Sequence, residues 1–571
     1  MNLYSTGIHA AIASRPISRR RFVGATAIVG SGLAGAALIG CSAGGGSKGG
    51  GGTAAPTKAP TKAPAAAAKP RFGGTLKDTM VGDPPGWGVF TAGSTSTRMN
   101  SFGYDKLLEF EQGPGTSPTS TDLVPWLATA LPEQPDGQTY VFKIRQGVKF
   151  QNVAPVNGRP MTSEDVKYAT DAIRNSSTFK TDFAAVSSVN AVDAQTVVVK
   201  TSKPYAPFLG ASVGQYGIPI FPKEIIDNKL HESTTIGTGA YIRAEWQQSN
   251  RIVFKKNPDY WNKNVAFLDE IQFLIIPESN STLGAFKSGQ LDQIGGYTSV
   301  PCELMTSIKD VKGAQFQNYS GSSNFSSFDT SKPPFNDVRV RRAIALLYNR
   351  QAESQAIYCG ATGGGSRTIG ILTQARALKP ADIPDMASTL KQDVKQAKDL
   401  LTAAGHPNGF KADIAFTPYY GAVSLSALER FIGDMRQGGI TLNPVSFEYA
   451  KWIAEIYRPP YNWTGMCWGA GRIYPEPDQE VRNWLYPGAN TNQSRVNDSA
   501  ITALIDKQAT QLNVKERWET LQEIQRLEAK NVYYLWKQSG DLSIASNARV
   551  HDFRGDVHYS AHNWFWAWVD A

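Results

Sequence analysis

The sequence is poor in the residues that most often carry chemistry. Its 571 positions hold four cysteines and six histidines. The cysteines stand at 41, 302, 359 and 467, and no pair has the C-x-x-C spacing of a zinc or redox site. His558 and His562 are four apart, which suits two rings on one helix face, yet the His-Glu-x-x-His arrangement of a metalloprotease is missing. From residue 71 onward there is no Walker loop. Hydrolytic, metal and cofactor chemistry are therefore not expected, and the chain does not read as an enzyme.

Acidic side chains are absent from the first seventy residues, which carry eight Lys/Arg (15, 19, 20, 21, 48, 58, 62 and 69). Taking those eight from the total of 58 leaves 50 basic against 49 acidic residues in 71–571. The formal charge of +9 thus belongs to the leading segment, and a nucleic-acid footprint is not indicated. Apolar residues make up 41% of the chain and aromatics 11%, enough for large cores. At this length the chain should divide into two or three folded units rather than build one core.

The first forty residues read as a targeting segment. Arg15 and the run Arg19-Arg20-Arg21 precede nineteen uncharged residues, Phe22 to Gly40. A stretch of that length could cross a bilayer, but five glycines make it a poor permanent span. Leu38-Ile39-Gly40-Cys41 resembles the bacterial lipobox, in which cleavage precedes a lipidated cysteine. Ser18-Arg19-Arg20-Arg21-Phe22-Val23 resembles the twin-arginine export motif, with Arg19 and Arg20 as its pair. The segment 41–70 continues after Cys41 in Gly, Ala, Pro, Lys, Ser and Thr, with Ala-Pro-Thr-Lys repeated at 55–58 and 59–62. Such a composition cannot bury a core and predicts a disordered, semi-extended tether. With Cys41 consumed by lipid, three thiols remain. They leave room for one bridge at most, such as Cys302 with Cys359, or for unpaired buried thiols.

From Arg71 strand and helix patterns alternate. Thr139–Arg145 and Thr196–Lys200 alternate like half-buried strands, and Asp136-Gly137 is a hairpin signal before the first. Thr162 is placed to cap a helix running through Ile173. Val338–Arg350, Gln392–Ala404 and Val496–Lys530 read as amphipathic helices, the second closed by Gly405. Mixed elements over five hundred residues predict a multi-lobed α/β fold.

Within this pattern lie Gly73-Gly74-Thr75-Leu76, Tyr104-Asp105-x-Leu107 and Val124-Pro125-Trp126-Leu127-Ala128. They are followed by Asp136-Gly-x-Thr-Tyr-x-Phe-x-Ile-Arg145-x-Gly-Val-Lys-Phe150 and Asn157-Gly-Arg-Pro-Met-Thr-x-Glu-Asp-Val166. Gly237-Thr-Gly-Ala-Tyr241, Asn257-Pro-Asp-Tyr-Trp261 and Gly289-Gln-Leu-Asp292 come next. Pro334-Phe-Asn-Asp-Val-Arg-Val-Arg-Arg-Ala-Ile344 and Ala403-Ala-Gly-His-Pro-Asn-Gly-Phe410 complete the series. In this order the segments resemble the bacterial extracellular solute-binding proteins of family 5, the oligopeptide-, dipeptide- and nickel-binding group, over nearly all of 71–571. Most of these marks also have a folding role: tight turns at Gly237 and Gly239, buried rings at Tyr260 and Trp261, a capped helix start around Asp337.

The resemblance implies a type II periplasmic-binding-protein-like α/β fold, two lobes with a hinge plus an extra third domain. Lobe I would be 71–110, 223–322 and 537–571, the extra lobe II 111–222, and lobe III 323–536. It also implies a lipid-anchored, extracytoplasmic, monomeric protein that captures a peptide or peptide-sized solute by lobe closure and hands it to the permease and ATPase of an ABC importer. An oligosaccharide or other anionic solute, or a receptor-coupled sensor, are the alternatives.

In peptide-binding members a Trp-x-Ala-Asp-Tyr segment supplies an aspartate for the ligand's α-amino group. Trp468-Gly469-Ala470-Gly471-Arg472 matches at Trp468 and Ala470 but has Gly471 where the aspartate belongs. A buried ammonium without a carboxylate is costly, and Arg472 favours an anion instead. Asp478 or Glu476 could substitute if the loop turned differently. The expected ligand-binding set is Trp468, Arg472, Gly471, Tyr474, Asn324, Phe325, Ser94 and Thr95. Further aromatics (Trp87, Trp452, Tyr457, Tyr461, Trp463) are shared between stacking surfaces and core.

Overall fold

The computed structural model describes residues 69–570, apart from 85, 92–93, 119, 177–178, 180–182, 216–218, 296–301, 320–322, 359, 361–375, 472–473, 538–541 and 556–559. The leader, the twin arginines, Cys41 and nearly all of the tether lie outside the described residues. No helix among the described residues is long and apolar enough to cross a membrane.

Residues 68–571 form one compact unit built on three main sheets. In the first, Thr75–Met80 runs parallel to Glu270–Ile275, which pairs antiparallel with Arg251–Lys256 and that in turn with Tyr241–Gln247. Ile271, Phe273 and Ile275 alternate inward along one strand. Ile271 and Phe273 meet Leu76, Phe102 and Phe254, and the C-terminal Trp564 and Phe565 close the same core.

The second sheet is an antiparallel meander ordered Glu133–Asp136, Thr139–Lys143, Thr196–Thr201, Val186–Asp193. The Asp136 carboxylate accepts from the Gln138 N–H at 2.7 Å and the Thr139 hydroxyl at 3.0 Å, which sets the expected turn. Tyr140 and Phe142 point into a core shared with Val166, Ala169 and Ile173 of the helix Ser163–Asn175. That helix starts where Thr162 predicts, with the Thr162 N–H donating to Asp165 Oδ2 at 2.9 Å.

The third sheet has the order Thr441–Ser446, Lys411–Phe416, Met466–Gly471, Ser323–Phe328, Tyr534–Trp536. The first two pairings are parallel and the last two antiparallel. Two expected helices differ in extent. The Val338 helix ends at Leu347, and Asn349 caps a new helix, Arg350–Ile357, by accepting from the Ala352 N–H at 3.0 Å. The long run 496–530 is two helices, Ser499–Thr510 and Val514–Asn531, because Asn513 caps the second by accepting from Lys515 and Glu516. In both places a capping side chain outcompetes a continuous apolar stripe.

A smaller sheet joins Gln293–Ile294, Leu542–Ser546 and Gln315–Tyr319. The chain therefore passes twice between it and the five-stranded sheet, once from Tyr319 to Ser323 and once from Trp536 to Leu542.

Asp105 is fully buried and accepts four hydrogen bonds. Trp126 Nε1 (3.0 Å) and the Tyr260 hydroxyl (3.1 Å) donate to Oδ1, while the Thr238 hydroxyl (3.0 Å) and Trp261 Nε1 (3.1 Å) donate to Oδ2. Burial pushes its pKa up to about 6, and the four donors oppose the rise, so it is an acceptor-only carboxylate at neutral pH. Asp105→Asn replaces one acceptor oxygen with a donor that faces donors. We expect it to destabilise the fold by about 2–3 kcal/mol, the scale of an unsatisfied buried polar group, read as a lowered melting temperature.

Candidate ligand-binding site

The strand Met466–Gly471 lies inside the five-stranded sheet, so successive side chains face opposite layers. Cys467 points to one face, among Ala415, Trp452, Ile456 and Trp463. Its thiol is fully buried and unpaired, and burial pushes its pKa well above the usual thiol range. The Cys302 side chain and Cys359 lie outside the described residues, as does any bridge between them.

Trp468 points to the other face. Its indole is nearly buried, with Nε1 donating to Ser424 Oγ at 3.2 Å and the ring 5.3 Å from Phe431. Its remaining ring face is covered by Lys537, whose ammonium lies 3.1 Å from the ring centroid. Lys537 also donates to the Gly469 carbonyl at 3.3 Å. Burial pulls the Lys537 pKa down to about 7, and the nearby Glu353 opposes the fall. Burial likewise raises Glu353 to about 7, opposed by Lys537. Lys537 was not among the residues singled out from sequence. It follows three buried strand residues, Tyr534-Leu535-Trp536, and only the pairing of that strand with Ser323–Phe328 carries it to Trp468.

The other expected residues fall in two places. Gly471 and Asn324 sit at the same end of adjacent strands, with Ala470 opposite Asn324 and Gly471 opposite Ser323. Arg472 lies outside the described residues, as does the Asn324 side chain. Phe325 is fully buried on the far face, with ring centroids 4.8 Å from Trp484, 5.1 Å from Tyr534 and 5.6 Å from Trp536. Tyr474 packs in that same aromatic cluster, 6.4 Å from Trp484. Ser94 and Thr95 open the helix Ser94–Asn100, where Thr95 is half-buried and the Ser94 side chain is outside the described residues. Trp87, Trp452 and Trp463 are core residues, while Tyr457 and Tyr461 are partly buried.

Glu476 and Asp478 are held elsewhere. Glu476 pairs with Arg517, and Asp478 pairs with Arg482 at 3.1 Å and accepts from Gln508. Both carboxylates are committed to internal cations and do not replace the aspartate missing at Gly471. A separate open recess of about 550 Å³ is lined by Thr129, Arg145, Lys149, Asp259, Trp261 and Lys263, and shares no residue with this strand end. Among the described residues, no group of three or more His, Cys, Asp and Glu side chains is placed to hold a metal.

Asp478 is nearly inaccessible while Arg482 is about a quarter exposed. Removing the carboxylate leaves the guanidinium with only the more exposed Asp506, at 3.3 Å, and takes one acceptor from the Gln508 amide. We expect Asp478→Ala to cost about 3 kcal/mol, the low end for breaking a buried pair, measured by thermal melt. Iodoacetamide should leave Cys467 unlabelled in the native protein and label it in denaturant, as read by mass spectrometry of its peptide.

Comparison with known proteins places these features. Residues 122–492 match the family model "Bacterial extracellular solute-binding proteins, family 5 Middle". Heme-binding protein A of Haemophilus influenzae is 26% identical over 449 residues, covering 72% of this chain and 77% of that protein. The dipeptide-binding protein of Escherichia coli is 25% identical over 422 residues, covering 69% of this chain and 76% of its own. Among solved structures, the ABC transporter-associated periplasmic binding protein DppA of Helicobacter pylori, in complex with the peptide STSA, superposes with a TM-score of 0.73 at 21% identity, over 88% of this chain and 99% of that one. The fold is thus that of the type II periplasmic binding proteins. With its family model matched over more than half its length, the chain belongs to the bacterial extracellular solute-binding proteins of family 5.

Proposed function

We propose that the protein is the extracytoplasmic solute-binding component of an ABC importer and captures a peptide-sized solute at the strand end marked by Trp468 and Gly471. It binds and delivers; it is not an enzyme. The observation that carries the reading is the match across 122–492, supported by curated relatives that cover most of their own length. In this reading lobe I (71–110, 223–322, 537–571) and the extra lobe II (111–222) stand on one side of the ligand and lobe III (323–536) on the other. Ligand shifts the population toward the closed form by binding it more tightly, and that form is what the permease and its ATPase engage. Arg472, Asn324, Ser94 and Thr95 complete the set expected to meet the solute. The protein acts as a monomer, exported through its twin arginines and anchored by lipid on Cys41.

A second reading, a non-peptide or anionic solute, is favoured by one observation. Gly471 removes the expected aspartate, and neither Glu476 nor Asp478 takes its place. One relative is named for heme rather than peptide.

The ligand class is tested by thermal shift on the full chain in detergent, with peptides, N-acetylated peptides, oligosaccharides and metal chelates. A ligand of the folded state at a hundred times its Kd adds about 2.7 kcal/mol of stability. Peptides should raise the melting temperature while sugars and chelates leave it unchanged. Stabilisation by sugars or chelates alone would replace the peptide reading with the second. The anchor is tested by fractionation. Cys41→Ser should move the protein from the membrane to the soluble fraction, and substituting Arg19 and Arg20 with Lys should hold it inside the cell.

A further inference from the structure

Two bodies with separate cores meet along the segment Tyr205–Gly210. That segment belongs to the meander sheet, whose core holds Phe208 and Val213. Tyr140 of that sheet donates from its hydroxyl to the Tyr205 carbonyl at 3.1 Å, and its ring lies 4.5 Å from that of Phe208. On the other side stand the helices Pro477–Leu485 and Ser499–Thr510, whose Val481, Ile501 and Ile505 share a core with Phe325 and Trp536 of the five-stranded sheet. The two cores have no residue in common.

Three contacts among the described residues join the bodies here. The Ala206 N–H donates to the Ala509 carbonyl at 2.8 Å. That carbonyl is among the last four of its helix, which no helical N–H reaches, so the meander body supplies its partner. The Tyr205 hydroxyl lies 3.5 Å from Asp478 Oδ2. Leu512 rests on the Asp136-Gly137 turn, since a carbon added at Gly137 would stand 3.1 Å from Leu512 Cδ1. Glycine at 210 permits the approach. A carbon added there would stand 2.6 Å from Glu476 Oε2 and 3.3 Å from Glu476 Cβ. Glu476 cannot swing aside without losing Arg517 and the Asp478 N–H, from which it accepts at 3.1 Å. Parting the bodies opens neither core. Glu476 and Asp478 keep their own arginines, and the freed amide and carbonyl pass to water.

We propose that Tyr205–Gly210 is an affinity-determining latch: it seats on Glu476, Asp478 and Ala509 when the protein closes on its solute and leaves them when it opens, and Gly210 is the residue that lets it seat. This rests on the lobe-closure reading above and names one contact that sets the balance. A contact made only in the closed form raises the closed fraction, and the apparent affinity rises in proportion, whatever the solute.

The test uses the full chain in detergent as wild type, Gly210→Val and Leu512→Asp. The valine wedges the seat, while the aspartate sets a carboxylate beside Asp136 at a position already 45% exposed. Amide hydrogen exchange is read at residue resolution, and the radius of gyration by neutron scattering with the detergent matched out. Each variant should speed exchange of the Ala206 amide about tenfold, as expected for an easier sub-global opening. Each should also enlarge the radius of gyration, while the central strands Thr196–Thr201 and Ser323–Phe328 exchange as in the wild type. Faster exchange at an unchanged radius reduces the effect to fraying of one segment and overturns the latch. No change in either readout overturns it too and leaves lobe closure standing. A wild-type Ala206 amide as slow as the central strands marks a permanent interface, and lobe closure then fails together with this inference. Should Gly210→Val speed the strands as well, it has unfolded and Leu512→Asp decides; faster strand exchange in both variants overturns the proposal.

Discussion

Asp105 draws its four hydrogen bonds from Trp126, Thr238, Tyr260 and Trp261, residues of three separate stretches of the chain. A carboxylate placed in an apolar interior survives only when its lone pairs are filled, and here the four donor side chains must arrive from three distant stretches of the chain. Leu107 and Leu108, just beyond it, enter the core of the meander sheet, while Trp126 and Tyr260 enter the core of the Thr75–Met80 sheet. The hub thus lies between two cores that apolar burial alone would leave free to slide. Asp292 repeats the device, accepting from the Lys77 N–H, Asn547 and Arg549, and so ties the C-terminal segment to the first strand.

The same physics read in reverse describes the candidate site. Where the fold uses buried carboxylates they are paired or filled with donors: Asp478 with Arg482, Glu476 with Arg517, Asp105 with its four partners. On the Met466–Gly471 strand the roles are reversed, and a buried cation, Lys537, is held by the Gly469 carbonyl and the Trp468 ring.

Several local features were legible because their causes are local. The Asp136-Gly137 turn and the Thr162 cap depend on side chains within four residues of the backbone groups they satisfy, and the Gly405 helix end on a left-handed backbone that glycine allows. The helices predicted too long failed for an equally local reason, since Asn349 and Asn513 are good caps embedded in apolar stripes that continue past them. Periodicity reports which face is buried, but it does not report where the backbone stops hydrogen bonding to itself.

The solute-binding family, the mixed α/β class and the absence of an aspartate at position 471 are legible in the chain alone, because they rest on residue identity and order. The surroundings of the aromatics depend on long-range packing. Phe325 and Trp468 lie on adjacent strands, yet one faces an aromatic core and the other a buried lysine, since strand pairing and pleat, not composition, choose the face. The meeting of Lys537 with Trp468, sixty-nine positions apart in the chain, likewise arises from the order in which Tyr534–Trp536, Ser323–Phe328 and Met466–Gly471 line up in one sheet. Sheet order is a long-range property set by the packing of the whole lobe, and no local pattern encodes it.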